Sequence, residues 1–100
     1  MKVFDIHAPN GQLLAFEVKN LFLPRRLVCR VVKNIPGARL VRTPRIFSWF
    51  REASFCEFEV DGELFEAEEP FGDNDRYWIG PVAVIPVAQI AKVKKAFAAW

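Results

Sequence analysis

Residues 54–68 read SFCEFEVDGELFEAE, in which apolar residues alternate with glutamates on either side of Asp61-Gly62. Alternation of this kind predicts two half-buried strands. Asp-Gly favours a type I′ hairpin turn, because both central positions of that turn require a positive φ. The turn sets the register, which pairs Val60 with Glu63, Phe58 with Phe65 and Cys56 with Ala67. We therefore predict a hairpin with one apolar face that packs against a core.

The same register gathers negative charge on the opposite face of the hairpin. Glu57 faces Glu66, and Glu59 and Glu68 lie beside them. Like charges that sit directly opposite each other are destabilising unless a cation is near. Three sources of that cation remain open: arginines of the 39–45 stretch, a basic partner protein, or a divalent ion.

The first 20 residues predict a second hairpin. Residues 2–8 alternate in polarity, as a half-buried strand does. Asn10-Gly11 again favours a type I′ turn. The strand that follows the turn carries its apolar side chains on one face: Leu14, Phe16 and Val18.

A helix is predicted next, because apolar residues recur at helical spacing from about Pro24 to Asn34. Pro24 suits the start of a helix. Pro36 disfavours helical geometry in the residue before it, and Gly37 allows the chain to turn. Residues 38–42 then predict a short strand.

The rest of the chain contains one ambiguous segment and two further elements. Residues 43–51 suit either a short helical turn capped by Thr43 or an irregular edge segment, and we favour the helical turn. Residues 77–79 predict a strand that ends at Gly80-Pro81. A last helix begins near Pro86, and its apolar stripe contains Ile90, Val93, Phe97 and Trp100.

The predicted order of elements is β-β-α-β-β-β-β-α. We therefore expect an α+β fold, in which an antiparallel sheet has two main helices packed on one face. The 100 residues, 52% of them apolar, fit a single domain covering 1–100. No apolar run approaches the roughly 18 residues of a membrane span, so we expect a cytoplasmic protein without a membrane partner.

Charge is segregated along the chain although the net charge is only +2. Residues 25–51 contain eight basic residues and no acid, and residues 52–75 contain ten acids and no base. Such a basic block can mark a nucleic-acid-binding surface. We instead expect the two blocks to lie side by side and to screen each other in the folded domain.

Neither a catalytic site nor a metal or cofactor site is predicted. His7 is the single histidine and has no serine or cysteine partner at a recognisable spacing. Cys29 and Cys56 are too far apart in sequence for a zinc motif, so we expect buried, reduced thiols. Asp73-Asn74-Asp75 lacks the glycine and the distal glutamate of a calcium loop.

Two segments are the candidate binding sites. The first is aromatic and basic, and its candidate partner-binding residues are Arg45, Phe47, Trp49, Phe50 and Arg51. The second is a loop whose candidate ligand-binding residues are Asp73, Asn74, Arg76, Tyr77 and Trp78.

The aromatic loading indicates a small non-enzymatic protein-interaction module, either a homodimer or an accessory subunit. Ten phenylalanines and three tryptophans are many for a core of this size, so some rings should lie at an interface. Two alternatives stay open. One is a nucleic-acid-binding domain that uses residues 25–51, and the other is a small-ligand binder or enzyme that works at the 73–78 loop.

Overall fold

The computed structural model describes residues 1–21, 23–42, 54–69 and 75–100. Within these residues the chain forms a six-stranded antiparallel sheet with two helices on one face, which confirms the predicted α+β class and the order of elements. The strands are β1 (Phe4–His7), β2 (Leu13–Lys19), β3 (Ala38–Arg42), β4 (Ser54–Val60), β5 (Glu63–Glu68) and β6 (Arg76–Pro81). The helices are α1 (Arg25–Lys33) and α2 (Ile90–Ala98).

The strands are arranged across the sheet in the order β1-β2-β6-β5-β4-β3. β6 is therefore inserted between β2 and β5, although it is the last strand in the chain. Both helices contact the sheet, and they also contact each other. No helix in the described ranges is long and apolar enough to span a membrane.

The core lies between the sheet and the two helices. Each helix turns its apolar stripe toward the sheet, as the spacing predicted. In α1 the buried residues are Val28, Cys29, Val31 and Val32, and in α2 they are Ile90, Val93 and Phe97. The strands contribute fully buried rings, including Phe16, Phe58 and Phe65.

The hairpin of residues 54–68 has the predicted register. Val60 pairs with Glu63, Phe58 with Phe65, Cys56 with Ala67 and Glu57 with Glu66. Asp61 and Gly62 have φ values of 50° and 87°, which a type I′ turn requires. The local turn chemistry was therefore enough to orient the side chains from Cys56 to Ala67. Phe55 departs from the alternation, which would turn it outward with Glu57 and Glu59: it is fully buried in the core, next to the register shift between Ser54 and Cys56.

The turn between β1 and β2 differs from the predicted type I′ turn. Gly11 has a φ of 87°, whereas Asn10 is not among the described residues with positive φ. The Gly11 amide donates to the Ala8 carbonyl at 2.9 Å, and the Ala8 amide donates to the backbone carbonyl of Gln12 at 2.8 Å. These bonds fit a three-residue loop, a type I turn followed by a glycine bulge. A two-residue turn would place Pro9 in the strand pair, where it has no N–H to donate.

Three boundaries at the C-terminal end also differ from the prediction. Gly80 and Pro81 continue β6 instead of breaking it, and they pair with Glu66 and Phe65 of β5. Proline is tolerated there because the pairing of β6 with β2 already stops at Ile79. The last helix begins at Ile90 and not near Pro86. Trp100 is 46% exposed, because the helix ends at Ala98 before the stripe reaches it.

Candidate functional site

The candidate site lies on the face of the sheet that is turned away from both helices, which we call the outer face. In antiparallel pairs, directly opposed residues place their side chains on the same side of the sheet. Residues that oppose core residues therefore face the helices, and the residues between them face outward. On β4 and β5 the outward residues include four glutamates, here called the glutamate stripe: Glu57, Glu59, Glu66 and Glu68.

Trp78 borders the glutamate stripe on β6. It pairs with Glu68 on β5 and with Glu17 on β2, so a carboxylate side chain flanks the indole on each neighbouring strand. Glu66 pairs with Gly80, two residues further along β6. Trp78 is half-buried, so part of the residue remains accessible to solvent. A flat aromatic ring among carboxylates is an arrangement that attracts cations.

Basic side chains lie at the two borders of this surface. At one border Arg39 contacts Glu59, with Nη2 3.3 Å from Oε2. At the other border Arg76 contacts Glu17, with Nη1 3.3 Å from Oε1. The Arg76 guanidinium also covers the ring of Phe4 at 3.6 Å from its centroid. Arg39 is thus one of the predicted intramolecular cations, and its ion pair with Glu59 lies at the edge of the stripe.

Part of the basic block of residues 25–51 lies on the helix layer. Arg26, Arg30 and Lys33 of α1 are exposed on the opposite side of the molecule from the glutamate stripe. Arg25 does reach the acidic block, because its Nη2 lies 2.8 Å from Oε1 of Glu69. The two charge blocks therefore meet at Arg25 and Arg39, while the exposed part of α1 faces away. Ion pairs within the domain therefore neutralise part of the charge of the two blocks.

The predicted ligand loop is only partly described. Asp73 and Asn74 lie outside the described residues, and Arg76, Tyr77 and Trp78 form the start of β6. Strand alternation separates these three side chains, since Arg76 and Trp78 point outward and Tyr77 points into the core. The Tyr77 hydroxyl donates to the Leu23 carbonyl at 2.8 Å. Burial raises the pKa of Tyr77, and Glu69 raises it further while Arg25 opposes that shift.

The predicted partner-binding residues Arg45, Phe47, Trp49, Phe50 and Arg51 lie outside the described residues. The same is true of the ambiguous segment that contains them. Their proposed role stays a prediction. The segment precedes Ser54 in the chain, and Ser54 opens β4 opposite Glu68 of the glutamate stripe.

The remaining candidates for chemistry lie apart from the outer face. His7 is exposed at the end of β1, and the edge position of that strand leaves it away from both cysteines, which are buried in the core. Among the residues the structure describes, no group of three or more acidic, histidine or cysteine side chains is placed to hold a metal ion.

Two of the open cavities that the described residues form lie elsewhere on the surface. The larger one, of about 420 Å³, is lined by Met1, Lys2, Lys19, Leu21, Leu23, Leu27 and Trp100. The smaller one, of about 270 Å³, is lined by residues near the start of α2 together with Gln12 and Leu13. Neither is lined by Arg76, Tyr77 or Trp78, the described residues of the predicted ligand loop.

Comparison with known proteins adds no functional information. No protein-family model matches the chain, and no match is found among curated proteins or solved structures. A functional proposal therefore depends on the geometry of the described residues.

Sequence reasoning identified the glutamate stripe and Trp78 separately, but it did not place Glu17 beside them. The alternation of residues 13–19 puts Glu17 outward, yet nothing local indicates that β2 pairs with β6.

Proposed function

We propose that this protein is a non-enzymatic protein-interaction module that binds a basic segment of a partner protein on the outer face of its sheet. The observation that carries the proposal is the position of Trp78, which pairs with Glu68 on one neighbouring strand and with Glu17 on the other. An arginine or lysine side chain of the partner would stack on the indole while its charge faces the carboxylates.

The energetics of such a contact favour a cationic partner. A cation over a tryptophan face contributes about 0.5–1 kcal/mol at an exposed site and more when water is excluded. Carboxylates add charge-assisted hydrogen bonds, which are stronger than neutral ones. Tryptophan and arginine are also the residues most often found at energetic hot spots of interfaces. Several such contacts along the glutamate stripe would together support a specific complex.

The same surface favours an accessory subunit over a symmetric homodimer through this face. A two-fold axis places the same patch of both copies in contact. The glutamate stripe of one copy would then oppose that of the other, and like charges at an interface are costly. A homodimer, if one forms, is better supported through the aromatic 45–51 segment that the sequence predicts.

Nucleic-acid binding is the second candidate, and α1 is the observation that favours it. Arg26, Arg30 and Lys33 are exposed on the helix layer, away from the glutamates. Each phosphate that these side chains neutralise would release counterions, so binding would weaken steeply as salt is raised. The small number of exposed basic residues on α1 makes this candidate weaker than the first.

Calorimetric titration with a peptide of alternating arginine and glycine tests the proposal. We expect binding at low salt that weakens about tenfold in a Glu66→Gln/Glu68→Gln variant, because each lost charge contributes up to about 1 kcal/mol. Glu63→Gln is the matched control, since Glu63 pairs with Val60 and so belongs to the helix side of the same strand. Trp78→Leu should weaken binding as well.

Two results would contradict the proposal. One is the absence of binding to the peptide at low salt. The other is an equal loss of affinity in the Glu63→Gln control, which would indicate general charge attraction. Titration with single-stranded DNA, repeated with Arg26→Gln/Arg30→Gln, separates the second candidate from the first.

A further inference from the structure

Cys29 and Cys56 are brought into contact by the packing of α1 on β4. They are 27 positions apart in the chain, and their Sγ atoms are 2.7 Å from each other in the core. Both residues are cysteine thiols in the structure and do not form a disulfide. Cys56 is fully buried and Cys29 is 5% exposed. Sequence spacing gave no reason to associate them, so their contact is a property of the fold.

We propose that Cys29 and Cys56 are a redox pair that forms an intramolecular disulfide between α1 and β4. The contact of two thiol sulfurs, each held on a regular element of the core, carries this inference. It is independent of the proposed partner on the outer face, because both sulfurs lie on the helix side of the sheet.

The oxidant we assign to this step is a hydroperoxide, which is small enough to reach a nearly buried sulfur. The Cys29 thiol loses its proton, its thiolate attacks one oxygen of hydrogen peroxide, and the O–O bond breaks. The departing hydroxide takes up that proton and leaves as water, and Cys29 becomes a sulfenic acid. The sulfur of Cys56 then attacks the Cys29 sulfur and loses its proton, the S–O bond breaks, and a second water leaves. Two thiols are thereby oxidised by two electrons, and one molecule of hydrogen peroxide is reduced to two of water.

Cys29 is the sulfur expected to react first. It is the more accessible of the two, and the ammonium of Lys33 lies one helical turn further along α1. The hydrogen bond with Cys56 lowers the pKa of Cys29, burial opposes that effect, and Lys33 lowers the pKa further. A larger thiolate fraction makes a cysteine more reactive toward peroxides.

The disulfide should make the folded domain more stable. It would close a loop that contains β3 and the 43–53 segment, and thus restrict the unfolded chain. For a loop of this length the expected rise in Tm is on the order of 10 °C.

The test compares protein treated with hydrogen peroxide and protein treated with dithiothreitol, each freed of reagent. Thiols are counted in guanidinium chloride, intact mass is measured, and Tm is recorded. We expect two thiols per chain after reduction and none after oxidation, a mass lower by two hydrogens, and a higher Tm for the oxidised form. A non-reducing gel should show a monomer.

Cys29→Ala and Cys56→Ala serve as controls, and the Tm of each should not rise on oxidation. The thiol count of the wild type decides the question even if one variant fails to fold. Two thiols per chain after peroxide treatment, and again after refolding in a glutathione redox buffer, would overturn the proposal. So would thiol loss that is explained by a mass gain of oxygen atoms or by a disulfide-linked dimer.

Discussion

The indole ring of Trp78 lies over Gly80, two residues further along β6. A Cβ atom added to Gly80 would be 2.7 Å from Cη2 of Trp78 and 2.7 Å from Cβ of Ala15 on the neighbouring strand β2. Real side chains do not tolerate such distances without a shift of their neighbours. Gly80 therefore supplies the space in which the indole rests, and the position of Trp78 on the outer face depends on it.

The first prediction is that Gly80→Ala lowers the free energy of unfolding by about 1–3 kcal/mol, as overpacked sites do. The added methyl must displace either the indole or Ala15 of the strand pair. Urea denaturation measures the loss. In the background of Trp78→Leu the cost should be smaller, because one of the two clashes is removed. An unchanged stability of Gly80→Ala would show that the indole does not rest there.

The second prediction contrasts two ion pairs of different burial. The Arg25 side chain is 13% exposed, bonds Glu69 at 2.8 Å, and has its guanidinium carbon 4.7 Å from the Phe55 ring centroid. Arg39 is 67% exposed and bonds Glu59 at 3.3 Å. We expect Arg25→Ala to cost about 2 kcal/mol of stability, because it leaves a half-buried carboxylate and removes packing. Arg39→Ala should cost less than about 0.5 kcal/mol. If chemical denaturation shows similar losses of stability in the two variants, the prediction is contradicted.

The third prediction concerns alkaline pH and the single tyrosine, Tyr77. Since its pKa is raised in the folded state by burial, the unfolded chain loses the phenol proton first, at about pH 10. The stability from the neutral, hydrogen-bonded phenol is therefore present below about pH 10 and is lost as the pH rises toward the folded pKa.

Tyr77→Phe removes both the hydrogen bond to Leu23 and this pH dependence. At neutral pH the variant should be about 1 kcal/mol less stable than the wild type. The gap should stay constant up to about pH 9 and narrow as the pH rises above about pH 10. Urea denaturation of both proteins across this range measures it, and a gap that stays constant or widens would contradict the predicted sign.

The fourth prediction concerns the loop between β6 and α2. Val84 has a φ of 52°, which is unfavourable for a β-branched residue, and its side chain is 58% exposed. Val84→Asn should raise the free energy of unfolding by about 0.5–1 kcal/mol, because asparagine tolerates this conformation. Val82→Asn is the control, since Val82 is also exposed but is not among the described residues with positive φ. An equal gain in the control would show that replacing an exposed apolar side chain, and not relieving the backbone at Val84, causes the effect.

The fifth prediction tests the aromatic segment through Trp49. Ile46, Phe47, Trp49 and Phe50 fall within five positions, and neither a helix nor a strand can turn all four side chains inward. We expect Trp49→Ala to leave the fold largely intact and to weaken a dimer or a partner complex. Sedimentation of both proteins at matched concentration measures the dimer. A wild type that stays monomeric at high concentration rejects the dimer, and unfolding of the variant would make Trp49 a core residue.

The fold was predictable where neighbouring residues decide it. The Asp61-Gly62 turn and the alternation around it place Cys56 on the core side and Glu57 on the other, as found. The prediction failed at Asn10-Gly11, where Pro9 prevents the shorter turn, and at Gly80-Pro81. Glycine and proline usually end a strand, but Gly80 is needed beneath the Trp78 ring. That requirement comes from a side chain packed in three dimensions, which local turn propensities do not include.

The sequence by itself determined the strands, the helices and the face of the side chains that keep a regular alternation, because helix and strand periods and turn preferences act over a few residues. Phe55, beside the register shift in β4, is the exception. The tertiary structure alone decided that β6 lies between β2 and β5, and that α1 packs on β4. The first arrangement puts Trp78 between Glu17 and Glu68, and the second brings Cys29 to Cys56. Both depend on contacts between distant parts of the chain, which form because they bury the apolar face of the whole sheet, and such contacts leave no periodic pattern in a single sequence.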